Sequence, residues 1–139
     1  MTALDSNVLS VLSSHNPVAK ATAQAGLERA AGRGPICICG PVFAELLGLP
    51  GNSAEALRRM LDSLSISVEW ALEQADWETA GLAHQGDVKR RRASSGGLPH
   101  LMLTDFLIGA HAIVRGYTLF TFDKRLYDAA YPRLRVAIL

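Results

Sequence analysis

The chain has 139 residues, 49% of them hydrophobic and 19% charged, with a formal net charge of +1. That length can bury one core without disulfides or structural zinc, so a single domain over residues 1–139 is expected, and a charge this close to zero excludes general polyanion affinity, so any nucleic-acid contact must be local. No apolar run approaches the roughly eighteen residues of a membrane span and no signal-like leader precedes the first strand-like segment, so a cytoplasmic protein with no membrane partner is expected.

Thr2 to Leu4 reads as a strand stopping at Asp5, and Asn7 to Ser13 as a short helical turn. Asn16 and Pro17 open a helix as N-cap and first-turn proline, and Gly32 closes it. Residues 35 to 39 form a second strand, in which Cys37 and Cys39 point to one face; a bridge between them is geometrically poor and no zinc ligands follow, so both read as small buried hydrophobes. A short helix over 41 to 47 carries Glu45. Asn52, with Glu55 three residues on, signals a helix to about Leu64, and Ser65 to Val68 is a weak third strand.

A long helix is expected from Trp70 to about Arg91, because Trp70, Gln74, Trp77, Gly81, His84 and Val88 recur at helical spacing with acids early and bases late. The two tryptophans read as core or dimer packing. Ala93 to Pro99 is a loop. Thr104 reads as the N-cap of a helix from Asp105 to Arg115 with Gly116 just past its end, and Leu119 to Phe122 as a strand stopping at Asp123. A short helix after Lys124 and a strand near Val136 to Ile138 complete the chain. Alternation of this kind implies an α/β fold, a parallel sheet covered on both faces.

Asp5, Glu45, Asp105 and Asp123 each sit in or beside an apolar run, where a carboxylate costs free energy unless it is paired, hydrogen-bonded or bound to a cation. In a parallel sheet, ligands bind beyond the carboxyl ends of the strands. Asp5 and Asp123 end strands, Asp105 begins a helix returning to that rim, and Glu45 lies one turn into the helix leaving strand two, so all four can converge. At separations of about 6 Å each pair repels by roughly 2 to 3 kcal/mol at an effective dielectric near 20. Oxygen-only ligands suit Mg²⁺ or Mn²⁺, and metal-assisted phosphodiester hydrolysis is the matching chemistry. Each acid also has a plainer reading: Asp5 and Asp123 as N-caps, Asp105 as a carboxylate complementing a helix dipole, Glu45 as a solvated side chain.

The segments LDSNVL, PVFAELL, TDFLIGAHA and LFTFDKRLYDAAYP together resemble the PIN-domain nucleases, in particular the VapC-like ribonuclease toxins of bacterial toxin-antitoxin pairs, over essentially the whole chain. The resemblance implies a three-layer sandwich around a central five-stranded parallel sheet, Mg²⁺ or Mn²⁺ held by Asp5, Glu45, Asp105 and Asp123 as metal ligands and catalytic residues, and RNA as substrate. It assigns Ser6, Asn7 and Thr121 supporting polar roles and implies a cognate antitoxin. The fourth acid varies in the family, which makes Asp123 the least fixed of the set. A homodimer is expected because an apolar-rich chain of this length leaves hydrophobic surface to cover.

Lys89, Arg90, Arg91 and Arg92 form the one dense basic run, beside the stretch from Arg92 to Gly97; it either holds RNA phosphates or complements a helix C-terminus in water. His111 reads as a hydrogen-bonded core imidazole, and His15, His84 and His100 carry less information. Other classes stay open: a housekeeping RNA-processing nuclease of the same fold, a haloacid-dehalogenase-like phosphatase, to whose Asp-x-Asp motif Asp5-Ser6-Asn7 is similar but for Asn7, or a receiver-like binding module with Glu69 near the phosphoacceptor position. Neither of the last two uses Glu45 and Asp105 together.

Overall fold

The structure, a computed structural model, describes residues 1–94 and 102–138. Five strands form one parallel sheet: β1 (Thr2–Leu4), β2 (Ile36–Cys39), β3 (Ile66–Glu69), β4 (Thr118–Thr121) and β5 (Val136–Ile138), in the order β3-β2-β1-β4-β5. Ile36, Cys37, Ile38 and Cys39 are all buried, as expected of a strand covered on both faces. Burial pushes the Cys37 thiol up to about 12 and that of Cys39 to about 11, so both remain protonated core groups.

The helices are α1 (Ser6–Leu12), α2 (Pro17–Ala31), α3 (Gly40–Leu47), α4 (Ala54–Ser63), α5 (Gln74–Ala93), α6 (Leu103–Val114) and α7 (Lys124–Ala130). Among them α5, α6 and α7 pack together, α1 packs against α2 and α3, and α3 also meets α6; the chain first builds outward from β1 through β2 to β3 and then returns to the other side of β1 with β4 and β5. The reversal falls between β1 and β4. In parallel sheets adjacent connections diverge at such a reversal, and here the carboxyl ends of these two central strands lead into Asp5 and Phe122. No described helix is long and apolar enough to cross a membrane.

Several expected boundaries move. The fourth helix is capped by Ser53, whose Oγ accepts the Ala56 N–H at 3.1 Å, because Asn52 instead donates to the Leu46 carbonyl at 2.6 Å. The long helix begins at Gln74 and not at Trp70: the Asp76 carboxylate accepts the Glu73 N–H at 2.7 Å and fixes the start there. Its buried stripe is Asp76, Ala80 and Asp87, one position off the expected face. Trp70 and Trp77 are 59% and 53% exposed, so neither is core, although Trp70 sets its ring edge-on to Phe43 at 4.8 Å. Met102, not Thr104, is the N-cap of α6. The fourth strand ends at Thr121, and Ser95 to Pro99 of the expected loop, with His100, lie outside the described residues.

Candidate active site

Asp5 leaves β1 at the point where its backbone N–H still bonds to the Phe120 carbonyl of β4, at 3.0 Å. It is the N-cap residue of α1, yet its side chain makes no capping hydrogen bond, and the same is true of Asp123 at the start of α7. The carboxylates are therefore not spent on helix ends. Asp5 Oδ2 accepts from Thr121 Oγ1 at 2.8 Å and from Asn7 Nδ2 at 3.0 Å, and Ser6 Oγ makes a longer 3.4 Å contact to Oδ1. Asn7 also donates to Thr121 Oγ1 at 3.1 Å and accepts the Phe122 N–H, while Thr121 Oγ1 accepts the Asp123 N–H at 3.0 Å. Thr121 thus ties the first acid to the backbone of the fourth, and Asn7 and Thr121 form one network that steadies Asp5 through Oδ2, with Ser6 on Oδ1.

Asp105 lies in the first turn of α6, where its Oδ2 accepts the Met102 N–H at 2.9 Å. That bond matches the plainer helix-start reading but uses one oxygen only. Burial raises its pKa, opposed by the Met102 bond and reinforced by the charges of Asp5, Glu45 and Asp123. Asp5 is also raised, by burial above all, with Glu45 adding to it against the bond from Thr121 and the influence of the nearby Tyr127 hydroxyl. Asp105 thus feels the other three acids at the carboxyl rim, although no three of the four bring ligand atoms within 4.8 Å of one another. Asp5 is buried, Glu45 and Asp105 are partly so, and Asp123 is exposed. Every donor in the set is a carboxylate oxygen, the ligand type hard divalent cations take.

Sequence reasoning missed Tyr127. Its ring is fully buried under this pocket, and its hydroxyl is the one buried side-chain polar atom without a hydrogen-bond partner among the described residues. Burial raises its pKa strongly, and the Asp5 and Asp105 charges act in the same direction. The hydroxyl is placed to influence Asp5, but no complete hydrogen bond joins the two. Its only sequence signal was a tyrosine at an apolar helix position.

A second polar cluster lies under α5 and α6. His111 Nε2 meets Glu69 Oε2 at 2.7 Å, Tyr117 donates to Glu69 Oε1 at 3.0 Å, and Arg115 Nε stands 3.2 Å from Glu69 Oε2 while its Nη1 and Nη2 reach Asp76 at 2.5 and 3.0 Å. Burial lowers the His111 pKa against the pull of Glu69, so the ring is neutral and donates, the core imidazole expected from sequence. Burial alone would raise Asp76; the bonds from Arg115 and Glu73 outweigh it and hold it low. Cys37, Glu69 and His111 bring one ligand atom each within 4.8 Å of one another. However, both Glu69 oxygens are engaged and Arg115 supplies the positive charge, so this cluster is a satisfied structural network. It also commits Glu69 at the end of β3 to packing, which removes the phosphoacceptor of a receiver-like module.

The basic run closes α5. Arg91 Nε pairs with Asp87 at 2.8 Å and Arg90 approaches the same carboxylate at 3.9 Å, whereas Lys89 and Arg92 are exposed.

Comparison with known proteins bears on the fold. No curated protein matches the sequence. The chain is similar to the solved structure of VapBC2 from Rickettsia felis bound to a promoter DNA fragment (TM-score 0.70, 21% identity, 99% of this chain and 97% of that one). It is also similar to a toxin-antitoxin complex from Klebsiella pneumoniae (TM-score 0.59, 20% identity, 99% and 96% coverage) and to VapC20 of Mycobacterium tuberculosis, a sarcin-ricin loop cleaving toxin (TM-score 0.62, 16% identity, 97% and 99% coverage). The family model described as PIN domain matches residues 2–131, so nearly all of the sheet and every acid of the rim lie within the match, and the chain belongs to the PIN domain family.

Proposed function

We propose that this protein is a Mg²⁺- or Mn²⁺-dependent endoribonuclease, the toxin of a toxin-antitoxin pair, with Asp5, Glu45, Asp105 and Asp123 as its metal-binding and catalytic acids. The observation that carries this reading is the electrostatic coupling of Asp105 to the other three acids at the switch point of the sheet. Four carboxylates so placed favour a cation over each other's company. A divalent ion held there supplies an acidified water for attack on a phosphodiester and neutralises charge developing on the phosphate.

The chain's own residues prepare that chemistry. Thr121 and Asn7 hold Asp5 by Oδ2 and leave Oδ1 with only the long Ser6 contact, and the Met102 N–H holds Asp105 by Oδ2 and leaves the other oxygen free to bind. The Glu45 and Asp123 carboxylates make no hydrogen bond or ion pair with the described residues, so both are available to the same ligand. Lys89 and Arg92, exposed at the end of α5, would add phosphate contacts that give affinity and salt dependence without reading sequence. Arg90 and Arg91 would contribute less, being turned toward Asp87.

The toxin reading draws on the toxin-antitoxin complexes among the structural relatives. A small antitoxin covering the rim with a basic side chain would inhibit by taking the place of the cation, since a guanidinium fork matches carboxylate oxygens. The exposed Trp70, Trp77 and Leu82 supply apolar surface for the expected homodimer.

The test is incubation of the purified protein with total bacterial RNA, with new 5′ ends mapped. Discrete cleavage in Mn²⁺ that is absent in EDTA and reduced at least about 100-fold by Asp105→Asn is the expected result. Cleavage undiminished in EDTA, or by the Asp105→Asn protein, would overturn the assignment.

A further inference from the structure

Three tyrosines bring hydroxyls into or near the core, and two of them are satisfied. Tyr131 donates to the Phe106 carbonyl at 2.5 Å, and Tyr117 donates to Glu69 at 3.0 Å. Tyr127, four residues before Tyr131 and with none of its surface exposed, has no such partner. A buried hydroxyl left unpaired costs about 1 to 3 kcal/mol, and phenylalanine would fill the same space without that cost. The hydroxyl therefore lacks a partner that another state of the pocket supplies.

Its surroundings say which state. The charges acting on the phenol are those of Asp5, Asp105 and Glu45, three of the acids proposed to bind the cation. No three of the four acids bring ligand atoms within 4.8 Å of one another, and Asp5 Oδ2 is held by Thr121 and Asn7. Cation binding removes the repulsion and fixes the carboxylates. A neutral phenol can only help by donating, and burial together with the acids keeps it protonated.

We propose that Tyr127 is a positioning residue of the acidic pocket, its hydroxyl donating to the Asp5 carboxylate when a divalent cation is bound and thereby raising the pocket's affinity for that cation. This inference rests on the metal-dependent reading above.

The experiment compares wild type, Tyr127→Phe and Tyr131→Phe by calorimetric titration with Mn²⁺ alone and by melting in EDTA. Tyr127→Phe should weaken Mn²⁺ binding about 3- to 10-fold while its metal-free Tm stays equal or rises, because the variant sheds an unpaired hydroxyl. Tyr131→Phe should do the reverse, lowering the metal-free Tm through the loss of the Phe106 bond and leaving Mn²⁺ affinity within twofold. Mn²⁺ affinity unchanged in Tyr127→Phe would overturn the proposal, as would an equal loss of affinity in both variants. A wild-type protein that takes up no Mn²⁺ would refute the metal-dependent reading and this inference with it, an outcome distinct from a Tyr127-specific failure.

Discussion

Asp105 and Asp76 are both carboxylates near the core, and their surroundings treat them oppositely. At Asp76 the Arg115 guanidinium and the Glu73 N–H outweigh burial and hold the pKa low, so that charge stabilises the fold at neutral pH and the benefit is lost as pH falls through the depressed value. At Asp105 and Asp5 burial and neighbouring acids win, and the pKa is raised. A group with a raised folded pKa binds more protons in the native than in the unfolded state. Its burden on the metal-free fold is thus greatest above the raised value and is relieved as pH falls through it toward the ordinary carboxylate range. Asp105→Asn should accordingly raise the metal-free Tm at pH 7 by about 3 °C, equivalent to about 1 kcal/mol at this chain length, and the gain over wild type should shrink as the pH is lowered. Scanning calorimetry in EDTA at several pH values checks this. A gain that is absent at pH 7, or that grows toward acid, would show that Asp105 carries no such burden.

At the scale of elements, α6 is the piece that places Asp105 at the rim and His111 in the core, and its seating depends on Gly109. A Cβ there would stand 2.2 Å from the Tyr131 ring, whose hydroxyl is itself tied back to Phe106 of the same helix. Gly109→Ala should therefore destabilise by about 1 to 3 kcal/mol by overpacking, despite alanine's better helix propensity, read as a lower urea midpoint. An unchanged midpoint would mean that α6 shifts freely. Most elements were legible because their signals were local: Asn16 and Pro17 before α2, the apolar run of β2, Gly116 after α6. Misplaced starts came from competition between neighbours. Asn52 was a plausible cap until a carbonyl in the preceding helix claimed its amide, and Thr104 yielded to Met102 because the Asp105 carboxylate closes the turn two residues earlier than expected. The tryptophan periodicity misled because Trp70 belongs to the segment after β3, not to α5.

For the molecule as a whole, the sheet order does what no single segment shows: it reverses direction between β1 and β4 and so sets Asp5 and Thr121 side by side from positions 116 residues apart. The acids themselves stood out as carboxylates in apolar context, whereas Ser6, Asn7 and Thr121 were pointed to by the family resemblance. Tyr127 and the Glu69-Arg115-Asp76 network were not, because an aromatic in an apolar helix reads as packing, and a long-range ion pair leaves no spacing in the sequence. The central claim is that the carboxyl rim of this sheet is a divalent-cation site. It is tested most directly by calorimetric titration of Mn²⁺ into wild type and into the Asp5→Asn/Asp105→Asn double variant, both shown to be folded. Saturable binding by the wild type and its loss, by at least about 100-fold in affinity, in the double variant is the predicted result. Equal Mn²⁺ binding by the two proteins would contradict it.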